Sequence, residues 1–171
     1  MDFKKTDKAL TLWVYEVNVR GTIMKDMLKL ENVQIVNGVK DWIEAIHVGV
    51  QPLVDTGYVE ARYIDEIIKN TEKFGPYYVL CENLALLHAS AEQGVIKKQI
   101  AITVLKEPVK FKEDGYDVRL LVTLAASDAE SHMQAMQAIS NIFSDEKRIA
   151  MLVNANTEEE IYRQFISAAN E

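Results

Sequence analysis

His88 closes the apolar stretch "ENLALLHAS" (82–90) and His132 follows the loop "SDAES" (127–131); they are two of only three histidines in the chain. Neutral imidazole is a good nucleophile toward phosphorus, and a second imidazole can donate a hydrogen bond to arriving phosphoryl oxygens. Phosphoryl transfer needs mainly positioning and charge stabilisation, so two imidazoles on a rigid rim are sufficient apparatus. His132 also falls in the first turn of a helical stretch, where backbone N–H groups and the helix dipole favour an anion. Ser90 and Ser131 bring hydroxyl donors to the same neighbourhood. On spacing alone the alternative stays open that both histidines merely satisfy local hydrogen bonds, because two histidines are not a specific motif.

Other chemistry finds little foothold. Two histidines and a strand cysteine lack the close ligand spacing of a zinc site, so no metal is expected. His47, inside "IEAIHVGV", reads as a structural or surface residue of a helix. Cys81 sits mid-strand as a small buried hydrophobe, with no cation beside it to make a reactive thiolate. Tyr77 and Tyr78 read as core and rim packing, and Glu158 to Glu160 as a favourable helix start. Glycine-rich phosphate loops are absent, and no cofactor is expected.

The elements that must position the histidines alternate in type. "NVQIVN" (32–37) is a short strand candidate. Asp41 then opens the helical pattern "DWIEAIHVGVQPLVDTG", stopped by Gly57, and "EARYIDEIIKNTEKFG" (60–75) repeats the design with Gly75 as its stop. "YYVLCENLALL" (77–87) starts as a near-continuous apolar strand, and "IKKQIAITVL" (96–105) and "DVRLLVTLAA" (117–126) are two more. Helical patterns fill 131–145, 146–155 and 157–171, the last begun by a Thr157/Glu160 capping box. Strands interleaved with paired helices imply an α/β, three-layer sandwich whose mixed sheet is mostly parallel and flanked by helices. Ligands gather at the carboxyl ends of strands in such sheets, which puts both histidines on one rim.

Composition bounds the partners. The chain of 171 residues is 49% hydrophobic and 26% charged, with formal net charge −7. That is an ordinary globular mixture, and the acidic balance removes the electrostatic support for nucleic-acid or membrane-surface binding. A single cysteine forms no internal disulfide, which fits a reducing cytoplasm. The first segment, "LTLWVYEVNV" (10–19), alternates as a weak strand; Glu16 and Asn18 break its apolar character, so it is read neither as a signal peptide nor as a membrane span. It is an arm that packs on the domain or exchanges with a second subunit, and a homodimer is one outcome.

"FGPYYVLCENLALLHASAEQGV" (74–95) and "VRLLVTLAASDAESHMQAMQAISNIFSD" (118–145) resemble the enzyme IIA domain of the bacterial phosphoenolpyruvate-dependent sugar phosphotransferase system, of the mannitol/fructose structural type and closest to its ascorbate-type branch. The likeness covers roughly 28–168, which leaves residues 1–26 as an N-terminal extension or arm and 27–171 as a type-2-like enzyme IIA domain. It implies a mixed sheet flanked by helices and a phosphohistidine intermediate. A histidine at the place of His88 accepts phosphate from the phosphocarrier HPr and passes it to a cysteine of enzyme IIB, and His132 matches the histidine that supports the phosphoryl group. The membrane is met only indirectly, through the IIC permease. The chain departs from the family where Glu82-Asn83 replaces a Pro-Gly-like turn and Leu87 replaces a proline. After the histidine stand Ala89, Ser90 and Ala91, and no arginine stands near Asn70 and Thr71. Those departures motivate an alternative, a regulatory or interaction module that kept the fold and relays phosphate poorly.

Overall fold

The computed structural model describes residues 25–169. The arm anticipated over 10–19 therefore lies outside the described residues. Five strands form one sheet in the order β1-β4-β5-β3-β2. In chain order the elements are β1 (Leu28–Val36), α1 (Trp42–Asp55), α2 (Arg62–Phe74), β2 (Val79–Cys81), β3 (Asn83–Leu87), β4 (Gln99–Lys110), β5 (Asp117–Ala125), α3 (Ala129–Phe143), α4 (Glu146–Val153) and α5 (Glu158–Ala169). The sheet is mixed: β1 with β4 and β3 with β5 are parallel, while β4 with β5 and β2 with β3 are antiparallel.

Both faces of the sheet are covered, which is why its central strands read as unbroken apolar runs. Strand side chains alternate between faces. Leu84, Leu86, Ile100, Ile102, Leu120 and Val122 turn toward α3, α4 and α5. Ala85, Leu87, Ala101, Leu105 and Leu121 turn toward α1 and α2. The expected sandwich of helices, sheet and helices is present. No described helix is long and apolar enough to cross a membrane.

Local chemistry explains the element ends. Asp41 caps α1 by accepting from the Glu44 N–H at 2.8 Å, and Gly75 ends α2 at φ 78°. Pro52 lies inside α1 and cannot donate to the Val48 carbonyl; the Gln34 side chain does so instead, at 2.8 Å. Thr157 accepts from the Glu160 N–H, which is half of the capping box read for the last helix; the Glu160 carboxylate turns one residue further back and accepts from the Asn156 N–H rather than from that of Thr157.

One expected strand divides in two. The apolar run over 77–87 is a hairpin, with Val79 opposite Ala85 and Cys81 opposite Leu84. The turn falls at Glu82-Asn83, where Asn83 takes φ 71°. Asparagine tolerates this left-handed conformation better than most residues. The reversal gives β3 the same direction as β5. Cys81 consequently lies half-buried on the edge strand rather than in the middle of a buried one. Strand β4 also runs further than the pattern over 96–105, through Pro108 to Lys110, because the β4–β5 register shifts between Val104 and Val109. A bulge region is where a residue without an N–H fits a strand.

Candidate functional site

His88 follows the last residue of β3, and His132 stands in the first turn of α3, a few residues beyond the end of β5. Because β3 and β5 are parallel neighbours, with Leu87 opposite Thr123, their carboxyl ends lie side by side. The two imidazoles meet there, ring centroids 5.8 Å apart and planes at 45°. Both line a cleft of about 510 Å³ together with Asn70, Tyr77, Gln93 and Asp128. The expectation that the topology brings the two histidines to one rim is met.

The tautomer of His88 follows from its partner. Its Nδ1 lies 2.8 Å from the Leu86 carbonyl oxygen, which can only accept, so Nδ1 carries the proton. Nε2 is then the ring's free base. Tyr77 holds the other side, edge-on at 5.6 Å, with its hydroxyl donating weakly to the His88 carbonyl at 3.4 Å. Burial pushes the His88 pKa below the usual histidine range; the Leu86 hydrogen bond opposes this, and the neighbouring His132 adds to it. The result is a neutral imidazole at neutral pH with a lone pair on Nε2.

The two serines expected to add hydroxyl donors each have hydrogen-bond partners of their own. Ser90 is exposed and caps the short 3-10 turn Ala91–Gln93, its hydroxyl donating to Gln93 Oε1 at 3.0 Å. Ser131 is 6% exposed, and its hydroxyl donates to the Asp128 carbonyl and accepts from the Asp128 N–H. The start of α3 is closed by Asp128 itself, whose carboxylate accepts from the Ser131 N–H at 2.7 Å. That hydrogen bond, the largest of several, holds the Asp128 carboxyl below the usual carboxylate range. A helix start read as an anion site thus already carries its own anion. The remaining ionisable residues are placed as read: His47 is exposed on α1, Tyr78 is buried and Tyr77 stands at the rim.

Residues that sequence reasoning passed over shape the site. Tyr63, within the helical stretch over 60–75, is buried with its hydroxyl between Ala89 and Leu124. Gln93 pairs amide to amide with Asn70, at 3.1 and 3.2 Å, and also reaches the Glu66 carboxylate at 2.9 Å. The signal for Tyr63 was its type, since a buried tyrosine hydroxyl requires a partner. Gln93 had a signal too, standing three residues after a serine as in a capping box. Among the described residues no lysine or arginine lines the cleft, and Glu92 and Asp128 add negative charge.

The family model described as the phosphoenolpyruvate-dependent sugar phosphotransferase system, EIIA 2, matches residues 26–168. The mannitol-specific cryptic phosphotransferase enzyme IIA component of Escherichia coli K12 is 33% identical over 138 residues, 81% of this chain and 94% of that protein. The ascorbate-specific EIIA component of the same organism is 39% identical over 122 residues, 70% of this chain and 79% of that protein. Among solved structures, the solution structure of that mannitol-specific cryptic enzyme IIA superposes with a TM-score of 0.77 at 30% identity, covering 85% of this chain and 98% of that one. The complex of the Escherichia coli mannitol enzyme IIA with phosphorylated enzyme IIB matches at TM-score 0.72 and 28% identity, over 82% and 97% of the two chains.

Proposed function

The chain belongs to the EIIA 2 family of the phosphoenolpyruvate-dependent sugar phosphotransferase system, and from that premise we propose that it is a phosphoryl carrier with His88 as acceptor. The observation that carries this reading is the His88 ring itself: Nδ1–H is tied to the Leu86 carbonyl, which leaves Nε2 unprotonated beside His132. The phosphoryl donor is phosphohistidine on HPr. The Nε2 lone pair forms the new P–N bond as the donor's P–N bond breaks and returns its electron pair to the donor imidazole. In the second half a cysteine thiolate of enzyme IIB attacks the same phosphorus, and the P–N bond to His88 breaks. The neutral state of His88 suits both halves, because the ring serves once as nucleophile and once as leaving group.

Phosphoryl transfer leaves charge on three equatorial oxygens. Among the described residues, where no lysine or arginine lines the cleft, His132 is the group on hand to donate a hydrogen bond to them. Ser90 and Ser131 support the loops that carry the imidazoles, since their hydroxyl protons already go to Gln93 and to the Asp128 carbonyl. The carrier works in the cytoplasm, touches a membrane only through the IIC permease and needs no metal or cofactor for the step. The formed acceptor geometry favours a working relay over a module that kept the fold alone.

The test is incubation with labelled phosphoenolpyruvate, enzyme I and HPr. Acid-labile label on the wild type and none on His88→Ala is the expected result. Absence of label, or label that survives His88→Ala, overturns the assignment.

A further inference from the structure

The ladder between β3 and β5 runs out at Leu87 and Thr123. Immediately beyond it the two strand ends are joined by a side chain. Tyr63 projects from α2 and is fully buried, and its hydroxyl accepts from the Ala89 N–H at 2.9 Å while donating to the Leu124 carbonyl at 2.8 Å. These two backbone groups belong to the segments that carry the histidines. The Ala89 N–H shares its peptide plane with the His88 carbonyl, so fixing it fixes the backbone on the far side of His88 from the Leu86 carbonyl that holds the ring. Leu124 leads through Ala125 and Ala126 to Asp128, the cap of the helix that bears His132.

We propose that Tyr63 is a positioning residue for phosphoryl transfer: a buried crossbar whose hydroxyl sets His88 and His132 at their working separation. The proposal rests on His88 being the phosphoryl acceptor. Burial pushes the Tyr63 hydroxyl up to about 12, so it keeps its proton, and with it both of its hydrogen bonds, across the physiological range. Phenylalanine would fill the same space and make neither bond. Ala89 N–H and Leu124 C=O would then have to find new partners in a dry interior, and the strand ends would move to do so. Small displacements at a reacting pair cost rate without costing affinity. Tyr63 has no exposed surface with which to touch a partner protein.

The experiment compares the wild type, Tyr63→Phe and Thr71→Val by phosphorylation kinetics and by the ring 15N signals of His88. Thr71 lies on the same helix and its buried hydroxyl bonds the Ile67 carbonyl and the Tyr78 hydroxyl, reaching neither the Ala89 N–H nor the Leu124 carbonyl, so it reports the effect of losing a buried hydroxyl that does not join the two strand ends. Tyr63→Phe is expected to slow phosphorylation roughly tenfold at unchanged half-saturation for phosphorylated HPr. Its His88 signals should move from the pure Nδ1–H tautomer toward a mixture, while Thr71→Val matches the wild type in both. A folded Tyr63→Phe with wild-type signals and rate overturns the proposal, as does the same loss in Thr71→Val. Should Tyr63→Phe not fold, 4-aminophenylalanine at position 63 donates to Leu124 but accepts poorly from Ala89; unchanged His88 signals there would be equally fatal. A wild type that takes no label, with the His88 signals still shifted by Tyr63→Phe, removes the carrier function and leaves the crossbar standing.

Discussion

Leu87 packs into a notch that exists because residue 49 is glycine: a Cβ at Gly49 would lie 2.9 Å from Leu87 Cδ1 and 3.4 Å from Leu121 Cδ1. The contact joins α1 to the strand end that presents His88. It is reinforced by the Thr123 hydroxyl, which donates to the Gly49 carbonyl at 2.8 Å. Leu87, where the resemblance implies a proline, is therefore anchored by burial against a helix rather than by a fixed φ. Gly49→Ala forces Leu87 or the helix to shift, and overpacking of this kind costs about 1–3 kcal/mol. A thermal melt should show the lower midpoint. Leu87→Ala in the Gly49→Ala background should recover part of the overpacking loss while adding its own cavity, and a strictly additive double mutant would contradict the notch.

The acid side of the pH profile follows from His88. Its folded pKa lies below the ordinary histidine value of 6.5, chiefly through burial, with His132 contributing. Above 6.5 both folded and unfolded chains hold the ring neutral. As the pH falls from 6.5 toward the folded value, the unfolded chain takes up a proton that the folded chain refuses, and stability is lost over that window. His88→Asn should flatten this part of a plot of urea midpoint against pH. An NMR titration of His88 should give a midpoint below 6.5, and His132→Ala should raise it by removing the neighbouring positive charge. The same substitution should slow phosphorylation by about a hundredfold if His132 donates to the phosphoryl oxygens, in line with the loss of a preorganised donor elsewhere.

Ser131 separates capping from catalysis. Its hydroxyl completes a reciprocal box with Asp128, and its N–H binds the Asp128 carboxylate. Ser131→Ala keeps the N–H bond to the Asp128 carboxylate and loses only the hydroxyl's share of the box, so it should lower stability by about 1 kcal/mol, the usual net worth of a hydrogen bond. The label on His88 should still form in the variant, at a rate within a fewfold of wild type. A loss of phosphorylation comparable to that of His132→Ala, without loss of stability, would instead make the hydroxyl a phosphate donor.

Most of the architecture was legible because its signals are local. Asp41, Gly75 and Thr157 mark helix ends within a turn of themselves, and the apolar runs of β4 and β5 announce strands buried on two faces. The hairpin over 77–87 was not legible, since the apolar run carries across Glu82-Asn83 and only the backbone shows Asn83 at positive φ. The pairing of His88 with His132 was readable as a consequence of two strand ends sharing a rim. The supports of the site were not: the Tyr63 partners lie 26 and 61 positions away and are backbone groups, which no side-chain pattern encodes. The hydrogen-bond partners of Ser131 were not legible for a different reason. "DAES" is equally a capping box and a pair of polar residues beside a histidine, and only the three-dimensional arrangement shows which groups the hydroxyl reaches.

Gln93 latches the loop that follows His88, and its removal should loosen that loop from α2. Its Oε1 accepts from both the N–H and the hydroxyl of Ser90, each at 3.0 Å. Its Nε2 donates to Glu66, and that bond is the largest influence holding the Glu66 carboxyl below its usual range. Gln93→Ala removes all of these at once and leaves Asn70 without its amide partner. Ser90 would then exchange its amide hydrogen faster, and the Glu66 carboxyl would titrate closer to an ordinary carboxylate. Gln93→Glu tests the direction of the latch: a carboxylate there still accepts from Ser90 but faces Glu66 with like charge. Protonation should relieve that repulsion, so the Ser90 amide of Gln93→Glu should be better protected at pH 5 than at pH 7 after correction for intrinsic exchange. The Gln93→Ala variant should show no such difference. Equal protection of Ser90 in all three proteins would mean that the loop is held by Tyr63 and Arg62, which bonds the Glu92 carbonyl at 2.8 Å, and that Gln93 is incidental.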